Sequence, residues 1–176
     1  MRNIMLVDDD QGILNAIQRN FRQLRHRDQY HIECYINPLD ALKRISEHQF
    51  DLVIADFNMP DMDGATFLSF VKQFQPNTVR LMLSASLDPQ TLLAAINQAE
   101  AIRYLPKPWQ VSDLQAAYDL ACERYDKNLE EHRLADERRL ETGELNAKDL
   151  ALRRLEEIEP GITKVNWGAD GSVIID

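Results

Sequence analysis

The chain has 176 residues, enough for one domain of ordinary size with an appendage. It is 44% hydrophobic and 28% charged, a globular composition, and its net charge of −9 speaks against nonspecific nucleic-acid binding by this chain. No apolar stretch approaches the ~20 residues of a membrane-spanning helix, and the N-terminus opens directly on a strand-like run without a secretory h-region, so a cytoplasmic location is expected.

In chain order, Ile4 to Val7 is a short continuous apolar run, the pattern of a strand buried on both faces. Ile13, Leu14, Ile17, Phe21 and Leu24 recur at helical spacing and predict a helix from residue 11 to about residue 25. Tyr30 to Ile36 predicts a second strand. Cys34 within it reads as a buried, inert thiol, and with Cys122 it is too little for a disulfide framework. Asn37-Pro38 sets a capping side chain before a proline at the first helical position, starting a helix through Leu39, Leu42 and Ile45. Asp51 to Ala55 is a third strand, and Gly64 to about Phe74 a helix with Phe67, Leu68 and Val71 on one face. Thr78 to Leu83 is a fourth strand. Asp88-Pro89 starts a helix through Leu92, Leu93 and Ile96, Ile102 to Leu105 is a fifth strand, and a last domain helix starts near Val111 with Leu114, Ala117, Tyr118 and Ala121. Strands alternating with helices predict an α/β fold around a parallel sheet, with helices on both faces.

The composition changes from about Cys122. Residues 123–141 are rich in Glu, Arg and Lys and predict a continuation of the last helix, which Gly143 interrupts. Asn146 to Ile158, with Leu150, Leu152 and Leu155, predicts a further short helix, and Pro160-Gly161 stops it. Apolar arms around Asp170-Gly171, including Trp167 and Val173-Ile174-Ile175, predict a hairpin. The expected organisation is a domain over residues 1–125, a helical extension over 126–159 and a hairpin tail over 160–176. The extension is either a solvated helix or a short dimerising or partner-docking one, since its leucines keep no clean heptad.

Chemistry concentrates at the strand ends. The first strand runs into Asp8-Asp9-Asp10, the third into Asp56, the fourth into Ser84 and the fifth is followed by Lys107-Pro108. In an open parallel sheet that edge is where ligands bind. Asp10, Asp63 and Asp88 suit helix N-caps. Asp8, Asp9 and Asp56 on one edge would repel one another, and a small hard cation relieves such repulsion; Mg²⁺ takes oxygen ligands of this kind.

The segments Leu6-Val7-Asp8-Asp9, Asp51 to Gly64, Leu83-Ser84-Ala85 and Tyr104-Leu105-Pro106-Lys107-Pro108 together resemble the receiver domain of two-component response regulators, over residues 1 to about 125. The resemblance implies a flavodoxin-like, doubly wound, five-stranded parallel sheet of order 2-1-3-4-5, which sets Asp8 and Asp9 beside Asp56. It implies Mg²⁺ contacts from Asp8, Asp9, Asp56 and the backbone carbonyl of Asn58. It implies that Asp56 accepts a phosphoryl group, as nucleophile, from a sensor histidine kinase or phosphotransfer protein, with Lys107 supplying positive charge and the Ser84 hydroxyl a hydrogen bond. Asn58 and Ser86 stand where the family tunes the lifetime of the acyl phosphate, Tyr104 where it pairs a switching aromatic with the hydroxyl at Ser84, and Lys107-Pro108 where it favours a cis peptide. Two departures stand out: Trp109 replaces the commoner Phe, and Asn97-Gln98-Ala99-Glu100 lacks the glycine often found before the fifth strand.

The tail provides no helix-turn-helix and no room for a further enzyme domain. The expected output is protein–protein contact through the helical face and tail, including a homodimer, with no catalysis beyond phosphorylation and autodephosphorylation of Asp56. One rival is a haloacid-dehalogenase-type phosphatase, in which Asp8 is the nucleophile, Asp10 the acid, and Ser84 and Lys107 the later motifs. That reading lacks the second acidic pair of such enzymes and leaves Asp56 unexplained. Another rival is a receiver-like module that is never phosphorylated. His26, His31, His48 and His132 are scattered among polar neighbours, with no metal partner at ligand spacing.

Overall fold

A computed structural model describes residues 1–24, 29–85 and 89–158. The elements are β1 (Arg2–Val7), α1 (Gln11–Phe21), β2 (Tyr30–Tyr35), α2 (Pro38–Ile45), β3 (Leu52–Asp56), α3 (Gly64–Phe74), β4 (Val79–Ser84), α4 (Pro89–Ala99), β5 (Arg103–Pro106), α5 (Val111–Glu141) and α6 (Ala147–Ile158). The strands form one sheet in the order β2-β1-β3-β4-β5, with every neighbouring pair parallel. This is the doubly wound, flavodoxin-like arrangement expected from the resemblance. The expected elements and those observed differ at their ends by one or two residues, β1 starting at Arg2, except at α1, which stops at Phe21. There the helix tightens: the amide of Gln23 donates to the Asn20 carbonyl and that of Leu24 to the Phe21 carbonyl, so Leu24 stays buried outside the α-helix proper.

Alternation along the strands divides the core in two. Ile4, Leu6, Ile54, Leu81 and Leu83 face α1 and α5, where they meet Leu14, Ile17, Phe21, Leu114 and Ala117. Met5, Val7, Val53, Ala55 and Met82 face the other side and meet Ile45, Phe67, Leu68, Val71 and Ala95 of α2, α3 and α4. Because both faces are covered, the central strands β1, β3 and β4 are largely apolar with their polar groups near the ends, whereas the edge strand β2 carries His31 and Glu33 mid-strand.

Short polar side chains set the helix starts. Asp10 accepts from the Gly12 amide at 2.7 Å, Asn37 from Leu39 at 2.8 Å and Asp63 from Thr66 at 2.8 Å, so the two described aspartates expected as caps are caps. Asp88, the third, lies outside the described residues, as does the expected hairpin over 160–176. The loop that lacks a glycine before β5 has Glu100 at φ 46, a left-handed conformation that costs an L-residue about 1 kcal/mol. Cys34 is only partly buried, but burial still pushes its thiol pKa up, in keeping with an inert side chain.

α5 runs for 31 residues and passes residue 125 without a break. Residues beyond that point still touch the body: Arg2 grips the Asp126 carboxylate with two hydrogen bonds of 2.7 and 2.8 Å, and Asn128 donates to the Asn77 carbonyl at 3.1 Å. Gly143, at φ 74, ends the helix, and Asn146 caps α6 by accepting from the Asp149 amide at 2.8 Å. Buried Leu145 and Leu150, with Arg153 3.7 Å from Asp136, hold α6 against the end of α5.

Gly64 positions the acidic edge. A Cβ there would collide with the Asp56 carbonyl oxygen and stand 3.0 Å from the Phe57 Cα, both backbone atoms that cannot swing aside. Its amide donates to the Phe57 carbonyl at 2.8 Å, drawing the loop tight after β3. Gly64→Ala is expected to lower the unfolding free energy by about 2 kcal/mol, measured by urea denaturation; an unchanged midpoint would show that the loop yields freely.

Candidate functional site

β1 and β3 lie side by side at the point where the strand order reverses, with Val7 opposite Ala55 in register. The residues that follow, Asp8 and Asp56, therefore meet at the C-terminal edge. Both are buried, at 1% and 4% exposure, while the neighbouring Asp9 is exposed. One oxygen from each of Asp8, Asp9 and Asp56 falls within 4.8 Å of the others, a spacing that suits a single metal ion. Chain geometry supports two of these carboxylates directly: the Asp10 amide donates to Asp8 at 3.0 Å and the Asn58 amide to Asp56 at 3.0 Å.

Lys107 arrives from β5. Ser84 pairs with Pro106 in the β4–β5 register, and the Lys107 amide donates to the Ser84 carbonyl at 2.7 Å. The ammonium then reaches back to lie 2.6 Å from Asp8 and 2.7 Å from Asp56. The Lys107-Pro108 peptide is cis. Burial works against the Lys107 ammonium, but hydrogen bonds to Asp56 and Asp8 more than offset it and its pKa is raised. Burial likewise raises the Asp8 carboxyl, and the opposing hydrogen bonds from Lys107 and the Asp10 amide do not cancel it. Lys107 is thus a firmly protonated counter-ion, and Asp8 a carboxylate held charged in an unfavourable place.

The Ser84 hydroxyl is buried at the same edge with no hydrogen-bond partner among the described residues. A hydroxyl left unpaired in the interior costs free energy, and here it stands beside the lysine that bridges two carboxylates. Asn58 is exposed; its amide, not its side chain, touches Asp56. Tyr104 stands apart from the cluster, 39% exposed on β5. Ser86 lies outside the described residues. The carboxylates and the lysine were visible in the sequence, but the pairing of Asp8 with Lys107, 99 residues away, carries no local signal.

The response regulator receiver domain family matches residues 4–119. This chain belongs to that family, a signalling domain of two-component systems. The hydrogenase transcriptional regulatory protein HoxA of Bradyrhizobium diazoefficiens is 25% identical over 167 residues, which are 95% of this chain and 32% of that protein. The two-component response regulator ARR12 of Arabidopsis thaliana is 35% identical over 128 residues, 71% of this chain and 20% of that protein. The chain thus spans about a third or less of these relatives. Among solved structures, the signal receiver domain of an HD domain-containing protein from Pseudomonas fluorescens Pf-5 superimposes with a TM-score of 0.65 at 32% identity, covering 72% of this chain and 98% of that one. The phosphatase alternative finds no support in these likenesses, and Asp8, on which it depends, is 1% exposed and already engaged by Lys107. No helix among the described residues is long and apolar enough to cross a membrane.

Folded Asp8 binds its proton more tightly than it does at its ordinary value of 3.8. The folded state therefore holds more protons than the unfolded one above that pH, and the stability that Asp8 contributes is present at low pH and lost as pH rises through its folded pKa. In chelator-containing buffer, Asp8→Asn is expected to raise the Tm at pH 7 by a few degrees and to flatten this pH dependence. A lower Tm at pH 7 would mean that the ion pair with Lys107 outweighs burial and repulsion.

Proposed function

We propose that the chain is a phosphorylation-activated switch whose phosphoacceptor is Asp56. The observation that carries this reading is the buried, unpartnered Ser84 hydroxyl beside a lysine-bridged pair of carboxylates. An Asp56 carboxylate oxygen attacks the phosphorus of a phosphohistidine on a sensor kinase or phosphotransfer protein, the P–N bond breaks, and the imidazole leaves. Lys107 is placed to follow the charge from the carboxylates onto the phosphoryl oxygens, and Ser84 has a donor to spare for one of them. The Asn58 amide, already on Asp56, holds the acceptor in one orientation.

Asp8, Asp9 and Asp56, with the Asn58 carbonyl, would hold Mg²⁺. The donor set is all hard oxygen, without sulfur or nitrogen, which favours Mg²⁺ over softer metals. When bound, the ion supplies positive charge to the phosphoryl group in transfer. Drawing Ser84 toward a phosphoryl group would open space next to β5, and the exposed Tyr104 is the aromatic able to respond.

Output is by protein contact, in the cytoplasm, through the α5 face and the segment beyond it. Half-exposed Leu120, Leu129 and Leu134 on α5 and Leu152 and Leu155 on α6 supply apolar area for a partner or a second copy. The division is a receiver body over 1–125, a helical extension over 126–159 and a tail over 160–176, with the catalysis limited to Asp56 itself.

Intact-mass measurement after incubation with acetyl phosphate and Mg²⁺ tests the core of this reading. One added phosphoryl group is expected on the wild type and none on Asp56→Asn. Addition to Asp8, or none to the wild type, would sink it. Millimolar Mg²⁺ alone is expected to raise the Tm of the wild type, because it binds the folded cluster only, and to lose that effect in Asp9→Ala; a Tm indifferent to Mg²⁺ would remove the metal from the reading.

A further inference from the structure

The opposite edge of the sheet, where β4 and β5 begin, holds a cleft of about 540 Å³ between the end of α4 and the flank of α5. Its floor is Arg80, 7% exposed, on the strand that ends in Ser84. The guanidinium donates to the carbonyls of Thr78 at 2.6 Å, Ala99 at 3.0 Å and Glu100 at 3.3 Å, and to no carboxylate among the described residues. A guanidinium has five N–H donors, so three carbonyls leave two to offer. Burial pushes the Arg80 pKa down, the sign of a cation poorly compensated where it sits.

Two further cations face the same space. Arg124 of α5 is exposed and makes no ion pair among the described residues, and Lys72 of α3 pairs with Glu100. Glu131 and His132 of α5 also line the cleft; Glu131 has Lys127 as its partner at 3.7 Å. Glu100 is the residue held at φ 46, where a glycine would carry no strain. The chain thus keeps a carboxylate on a strained backbone, beside one buried and two accessible cations. Such strain at a cleft is a pointer to function.

We propose that this cleft binds a compact polyanion bearing phosphate or carboxylate groups, through Arg80, Arg124 and Lys72, and that the Glu100 carboxylate is the internal group such a ligand displaces from Lys72. The volume lies in the range of small-molecule sites, and a planar guanidinium with two donors to offer suits bidentate recognition of an oxyanion. The site lies across the sheet from Asp56 and is independent of the proposed phosphorylation.

Calorimetric titration of the full chain with pyrophosphate, and separately with citrate, in EDTA-containing buffer tests it. Binding of at least one anion is expected, about tenfold weaker in Arg124→Ala and several-fold tighter in Glu100→Gly, with Lys107→Ala like the wild type. Pyrophosphate alone would mark a phosphate ligand and citrate alone a carboxylate one. Arg124 is exposed, so its loss leaves the fold intact, and the melting transition of each variant checks that. No binding of either anion to the wild type and to Glu100→Gly would overturn the proposal. So would affinity untouched by Arg124→Ala, or affinity that disappears with Lys107, which would place the anion at the acidic edge.

Discussion

Like charges brought together at the β1–β3 junction are the constraint on which the rest depends. Three carboxylates and one ammonium leave the cluster with an excess of two negative charges, and two of the carboxylates are buried. Such a cluster needs a rigid frame, since a yielding one would let the carboxylates move apart into water. The double-sided apolar core supplies it. The β4–β5 register carries Lys107 to the one place where it meets both Asp8 and Asp56, and the tight turn at Gly64 keeps Asp56 from drifting outward. The frame holds a charge imbalance in place, one that a bound cation would relieve.

Much of this was legible in the amino-acid sequence because period and punctuation agree. Apolar runs such as Leu52 to Ala55 have one sensible reading when both faces of a sheet are covered, and Asn37-Pro38 and Asp63-Gly64 mark helix starts through local hydrogen bonds. The carboxylates at the strand ends were read from the apolar runs, but the placement of Asp8 beside Asp56 followed from family likeness, because strand order is a matter of long-range packing that periodicity does not encode. What stayed hidden has the same origin. The grip of Arg2 on Asp126 joins residues 124 positions apart in sequence, and it ties α5 to the start of β1. Arg80 lies inside a largely apolar strand pattern, and only the structure shows the carbonyls at the end of α4 and just beyond it that receive it. The missing glycine before β5 was visible as an absence, but not the left-handed glutamate that takes its place.

The two ends of the sheet are chemically opposed. β4 carries Ser84 to the acidic edge and Arg80 to the opposite one, so a single six-residue strand touches both. α5 borders the Arg80 end through Arg124 and Asn128 and packs along the sheet between the two ends.

α5 is also an unbroken run of 31 residues, about 46 Å from end to end. From Asn128, which bonds the Asn77 carbonyl, to Glu141 it extends roughly 20 Å at 1.5 Å per residue. A tilt of about 5° at that point would carry the far end through about 1.7 Å, close to a third of a helical turn. A helix of this length would magnify a small tilt at its packed part into a displacement at α6 that approaches the scale of a side-chain contact.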